Sequence, residues 1–158
     1  MIVVCDSGPL IHLSRIEMLH LLREFFEEIY LPKEVYDELT SGGQELPGSS
    51  EIKTSNWIKV KTVENNTAKE ILMEYLDEGE SEAILLAKEM DADLLLIDDL
   101  AGRRTARTHG IDVMGTLGIL DRAAKEGKVE DIMAIIVTLR EKGFWIDDEL
   151  VRKLYMEG

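Results

Sequence analysis

Two short apolar runs stop at acids: MIVVC ends at Asp6, and LLLI ends at Asp98-Asp99. Such runs are too short for a buried helix, and unbroken apolarity marks strands covered on both faces, the condition of a parallel sheet. Parallel neighbours need long crossover connections, so helices belong between them. In sheets of this kind the chemistry gathers at the carboxyl ends of the strands, where these acids fall.

The intervening sequence fits that plan. Leu10, Ile11, Leu13, Ile16, Leu19, Leu22, Phe25 and Phe26 recur at helical spacing, which predicts a helix over Leu10 to Glu28 in two pieces. Ile29 to Leu31 reads as a short strand, and Pro32 as the first residue of a helix continuing over Lys33 to Thr40. Ser41 to Ser50 (SGGQELPGSS) has loop composition. Trp57 to Val63 alternates with period two, an edge strand guarded by Lys59 and Lys61. Helices are expected over Thr67 to Asp77, with Gly79 as the break, then over Glu80 to Met90 and Leu100 to His109. Ile111 to Met114 is a further strand, and Gly115 opens a helix to Lys125. From Val129 the pattern is helical again, with a last helix over Asp147 to Met156. The expected fold is α/β, with a mostly parallel central sheet between two layers of helices. Residues 1–158 read as one domain with a helical C-terminal extension from about 129.

Composition narrows the function. Lys and Arg total 18 against 32 Asp and Glu, a net charge of −14, which argues against a surface built for non-specific nucleic-acid binding. A single cysteine, Cys5, excludes an internal disulfide or a multi-cysteine metal site and reads as a buried thiol. No apolar run reaches the roughly 18 residues of a membrane span, and Asp6 interrupts the opening segment, so a cytoplasmic protein without a leader is expected. His12, His20 and His109 have no ligand spacing, which leaves no zinc site in the sequence.

Four acidic positions sit at turns or helix edges beside apolar residues: Asp6, Glu38 in PKEVYDEL, Glu82 in GESEAI, and Asp98-Asp99. If the first and fourth strands are neighbours, Asp6 and Asp98-Asp99 emerge at the same sheet edge. Two carboxylates about 5 Å apart repel by about 3 kcal/mol at an effective dielectric of ~20, so a shared pocket must take up protons or a divalent cation. Oxygen-only ligands favour Mg²⁺ or Mn²⁺, and two such ions about 4 Å apart could activate water against a phosphodiester. Each acid also has a plainer reading. Asp6 can be a turn or cap residue, Glu38 a solvated helix acid, Glu80 and Glu82 dipole partners at a helix start, and one of Asp98 and Asp99 a cap.

Asp6-Ser7, Glu38 in PxxVxxEL, Glu82 in GESEA, and LLIDD together resemble the acid signature of PIN domains, the metal-dependent ribonuclease fold of VapC-type toxins. GESEAI, LLIDDLAGR and GTLGIL are further similar to a prokaryotic branch of that family. The likeness covers essentially the whole chain and implies a three-layer α/β/α fold. It also implies Mg²⁺ or Mn²⁺ held by Asp6, Glu82, Asp98 and Asp99 with Glu38 in the catalytic set, RNA as substrate, an antitoxin protein as partner, and a homodimer. Many relatives carry Thr-x-Asp at the fourth position, which in register selects Asp99 with Asp98 beside it.

Arg103, Arg104 and Arg107 can hold RNA phosphates or form a solvated basic face. Ser7 and Thr116 can orient water or phosphate, and Thr116 can instead cap its helix. Pairing two copies would align the arginines into a groove, with the apolar residues of Leu10 to Phe26 as the expected interface and RNA binding that weakens in salt. Two rival readings are a PIN-like interaction module with little turnover and a phosphotransfer domain. Phosphotransferases of the haloacid dehalogenase kind need a second Asp two residues after the first, where this chain has Gly8.

Overall fold

The computed structural model describes residues 1–41, 46 and 48–157. Five parallel strands, β1 (Val3–Cys5), β2 (Ile29–Pro32), β3 (Ile58–Lys61), β4 (Leu94–Leu96) and β5 (Val113–Met114), lie in the order β3-β2-β1-β4-β5. Helices flank both faces, as the alternation of runs requires. The chain builds outward from β1 first through β2 and β3, then returns to build the other half through β4. The β1/β4 seam is therefore the switch point where a doubly wound sheet opens a crevice. Val3, Val4 and Cys5 pair with Leu94, Leu95 and Leu96, and the Asp6 amide donates to the Leu96 carbonyl at 2.9 Å. Asp6 and the Asp98-Asp99 pair thus leave the sheet side by side.

Successive side chains of these strands point to opposite layers. Val3, Cys5 and Leu96 pack with Leu10 and Leu13 of α1 (Ser7–Arg15), Leu22 of α2 (His20–Phe26) and Ile119 and Leu120 of α8 (Thr116–Lys125). Val4, Leu95 and Ile97 face the other way, onto Ala83, Ile84 and Ala87 of α6 (Glu78–Glu89) and Ala106 of α7 (Leu100–Thr108). The segment after Val129 adds α9 (Ile132–Glu141) and α10 (Asp148–Glu157), whose Ile136, Leu139 and Val151 join the layer holding Val3.

Several local expectations shift. Pro32 ends β2 and stands at the N-cap of α3 (Lys33–Thr40) in extended conformation, one position before the helix proper. The expected loop Ser41 to Ser50 falls partly outside the described residues, and its last two serines already begin a helix that the sequence reading missed, α4 (Ser49–Thr54). Helix α5 (Asn66–Leu72) stops short of Asp77, and Gly79 lies inside α6 without breaking it. Leu10, Leu13, Leu19, Leu21, Leu22 and Phe26 are at most 6% exposed. These members of the stripe expected to form a dimer interface belong to the protomer's own core, while Ile11, Ile16 and Phe25 are half-buried against it. Cys5 is a buried free thiol, as expected.

Candidate functional site

Asp6 occupies the N-cap of α1 but does not cap it. At four other helix starts an Asn or Asp side chain accepts from the amide three residues on: Asn65 from Ala68, Asp77 from Glu80, Asp99 from Gly102 and Asp131 from Ala134. Asp6 makes no such bond. Its carboxyl is 4% exposed, and Oδ1 is buried with no hydrogen-bond partner. A buried polar atom left unpaired costs roughly 1–3 kcal/mol, so the plain cap reading does not account for this residue. Burial is the main cause pushing its carboxyl up to about 7, reinforced by Asp77, Asp98 and Asp99 and opposed by the Ser7 amide. Ser7, the first residue of α1, thus acts on the site through its backbone.

The neighbouring acids arrive from three further elements. Glu38 projects from α3 and is exposed as a residue, as a solvated helix acid would be, yet its carboxyl is also raised to about 7, first by partial desolvation and then by Asp77, Asp6, Glu34 and Glu78. A Cβ on Gly79 would stand 2.7 Å from Glu38 Oε1. A side chain there would displace the Glu38 carboxylate. Glu80 sits between Asp77 and Asp99, and burial plus hydrogen bonds to both raise its carboxyl to about 9.

Asp98 and Asp99 do different things. Asp98 Oδ1 accepts from the Thr116 amide at 2.7 Å, while Oδ2 accepts from the Thr116 hydroxyl at 2.6 Å and lies 2.9 Å from His12 Nδ1. Gly8 and Gly115 clear room for it: a Cβ on either would lie 3.1 Å and 2.8 Å from its oxygens. Asp99 caps α7 through Oδ2 and borders Glu80. Thr116, fully buried, is the first residue of α8 behind a Gly115 N-cap, so its hydroxyl serves Asp98 and not a cap.

Glu82 lies elsewhere. Residues two apart on a helix differ by about 200° in direction, so Glu80 and Glu82 face apart on α6. Glu82 Oε1 accepts from the Glu34 amide at 3.2 Å, and its Oε2 binds Lys69 Nζ at 2.6 Å. Lys69 also binds Glu78 Oε2 at 2.6 Å. Glu34, Glu78 and Glu82 each offer an oxygen within 4.8 Å of the others, and the Lys69 ammonium already bonds two of them, Glu78 and Glu82. Arg104 and Arg107 are exposed and Arg103 is half-buried, with Nε unpartnered. Among the described residues none of the three forms an ion pair with an acid.

A family model described as a PIN domain (DUF3368) matches residues 2–157. This chain belongs to the PIN domain family. No curated protein is significantly similar in sequence. Among solved structures, a PilT N-terminus domain protein from the hyperthermophilic archaeon Sulfolobus solfataricus superposes with a TM-score of 0.53 at 16% identity, over 83% of this chain and 96% of its own. At that identity the likeness speaks for the fold.

Within this PIN domain the sheet edge brings together Asp6, Glu38, Asp98 and Asp99 from the sequence reading. It adds Asp77, Glu80 and His12, which that reading did not single out for the site. The signal for Glu80 was present in GESEAI, where helical direction allows only one of two glutamates to face Asp99. The chemistry of the donor set suits a divalent cation: the candidate ligands are all oxygen, Asp6 Oδ1 lacks a partner, and burial, reinforced by neighbouring carboxylates, holds three carboxyls well above their usual range, although among the described residues only Glu34, Glu78 and Glu82 bring three ligand oxygens within 4.8 Å of one another.

Proposed function

We propose that this PIN domain is a Mg²⁺- or Mn²⁺-dependent endoribonuclease, the toxin of a toxin–antitoxin pair, working as a homodimer. The observation that carries the reading is the buried, unpartnered Asp6 carboxyl among other acids at the sheet edge. Asp6, Glu38, Glu80 and Asp99 would hold the ion. Asp77 fixes the Glu80 amide, and Thr116 with His12 locks Asp98 behind Asp99. A bound Mg²⁺ or Mn²⁺ supplies Lewis-acid activation of water and charge neutralisation at a phosphodiester. The carboxylates orient that chemistry, and Arg103, Arg104 and Arg107 offer unpaired guanidinium groups to the phosphates. The motif likeness to VapC-type toxins supports RNA as substrate and an antitoxin as partner.

Cleavage of mixed RNA in Mg²⁺ or Mn²⁺, abolished by EDTA, is the expected result. Asp6→Asn and Glu80→Gln should each lose about 100-fold or more, the scale of removing an electrostatic contact at a reacting centre. Glu82→Gln should keep most of the activity and lose about 1–2 kcal/mol of stability with its Lys69 contact. Cleavage that survives EDTA, or an Asp6→Asn variant with full activity, overturns the reading.

A further inference from the structure

The segment after Val129 reaches the acid group through one turn. Helix α9 ends at Glu141, and two residues on Gly143 takes a left-handed φ of +92°. The Gly143 amide donates to the Arg140 carbonyl at 3.1 Å and the Phe144 amide to the Leu139 carbonyl at 2.9 Å. These are the paired bonds of a Schellman turn, whose left-handed position glycine fills without strain. The turn is tied to the end of α1 from both sides. Lys142 Nζ donates to the Arg15 carbonyl at 2.7 Å, and Arg15 Nη1 donates to the Lys142 carbonyl at 3.3 Å. With the direction of the chain fixed in this way, the Phe144 ring lies on the His12 ring, their centroids 3.9 Å apart and their planes at 42°. The next residue, Trp145, is 81% exposed, so of two adjacent aromatic side chains it is Phe144 that turns inward.

His12 carries the contact on to the acids. It stands one turn after Gly8 on α1, on the same helix face. Gly8 leaves the room that Asp98 fills, and His12 Nδ1 lies 2.9 Å from Asp98 Oδ2. The two side chains are 17% and 14% exposed. An ionised carboxylate only accepts hydrogen bonds, so toward it the imidazole must present Nδ1–H. One such bond leaves the ring free to swivel about it, whereas a second ring packed against its face confines the plane. Phe144 has no polar group to offer, so confinement is what it contributes. Asp98 directly precedes Asp99 and adds to the repulsion felt by Asp6, so the place of its carboxylate bears on the residues that would hold the ion. We propose that Phe144 is a positioning residue, which holds the His12 ring with Nδ1 on Asp98 and so makes the segment after Val129 part of the acid site. The effect on the ion rests on the metal-dependent reading above, while the contact between Phe144, His12 and Asp98 does not.

The test reads the ring nitrogens of ¹⁵N-labelled His12 by NMR in the full chain without metal, alongside calorimetric titration with Mn²⁺ and cleavage of mixed RNA in Mg²⁺. The nitrogen shifts report which of the two carries the proton. At alkaline pH the wild type should hold the Nδ1–H form. Phe144→Ala should lose that preference and lower Mn²⁺ affinity about tenfold, the lower end of the cost of removing a ligand's outer support. Phe144→Tyr should restore both, and Trp145→Ala, one residue along the same turn, should change neither. In a His12→Ala background Phe144→Ala should cost no further Mn²⁺ affinity, as expected of a residue that acts through another. If Phe144→Ala does not melt cooperatively, Phe144→Val takes its place in the same comparisons. A wild-type His12 in the Nε2–H form overturns the proposal. So does wild-type Mn²⁺ affinity in Phe144→Ala, or an equal loss with and without His12, either of which leaves Phe144 a packing residue. If the His12 form depends on Phe144 but the wild type neither binds Mn²⁺ nor cleaves RNA, the nuclease reading fails while the contact stands. Cleavage and Mn²⁺ binding that ignore Phe144 remove only the positioning role.

Discussion

At the scale of single residues, the acids of this site differ from surface carboxylates in where they hold their protons. Asp6 and Glu38 are raised to about 7 and Glu80 to about 9, in each case with burial as the largest cause. Their ordinary values are 3.8 for Asp and 4.5 for Glu. Between those values and the raised ones the folded protein binds more protons than the unfolded chain, so stability must fall as pH rises through that window. Without metal, the melting temperature should decline from about pH 5 to about pH 9, and a divalent ion should recover more of it at the alkaline end. Asp6→Asn removes one of the repelling charges and should melt above the wild type in EDTA at alkaline pH while binding Mg²⁺ or Mn²⁺ more weakly. A variant that melts lower at every pH in calorimetry would make Asp6 a structural residue.

At the scale of elements, the first turn of α6 decides the site. Asp77 caps it, Gly79 admits Glu38, and Glu80 faces Asp99 while Glu82 turns back to Lys69. Alanine is the better helix former by about 1 kcal/mol, so Gly79→Ala would be expected to stabilise a helix that had only to be a helix. Its Cβ would instead stand 2.7 Å from Glu38 Oε1 and push the carboxylate off the acid group. We expect unchanged helical content by circular dichroism with divalent-ion affinity lowered about tenfold or more in calorimetric titration, the loss typical when a ligand's support is removed. Unchanged affinity would return Glu38 to the solvated helix face.

At the scale of the whole molecule, charge and assembly are linked. A chain of net −14 repels RNA over most of its surface, and Arg103, Arg104 and Arg107 lie on one helix without acid partners among the described residues. A dimer that brings two such helices together would concentrate positive charge beside each site. Light scattering should give about twice 17.9 kDa, and reversing the three arginines should weaken RNA binding and flatten its dependence on salt. A monomer with intact nuclease activity, or salt dependence unchanged by the reversal, counts against this assembly. The contact cannot be built from Leu10, Leu13, Leu19, Leu21, Leu22 and Phe26, which the core already holds.

The sequence by itself determined the strands and the acids at their tips. MIVVC and LLLI read as strands covered on both faces of a parallel sheet, and the acids at their tips meet because the structure sets β1 beside β4. Local spacing carries that much because strand burial and helix periodicity are properties of neighbouring residues. It could not separate core from interface in Leu10 to Phe26, since a stripe at helical spacing reads the same against a sheet or against a second copy. Nor could it place Pro32, an N-cap that local rules accept equally as a first helical residue. Which glutamate of GESEAI meets Asp99, why Asp6 lacks a cap bond, and how His12 reaches Asp98 across 86 positions of sequence were decided only in the tertiary structure. Those facts depend on the angle at which α6, α1 and α8 meet the sheet edge, and that angle is set by the packing of both helical layers at once.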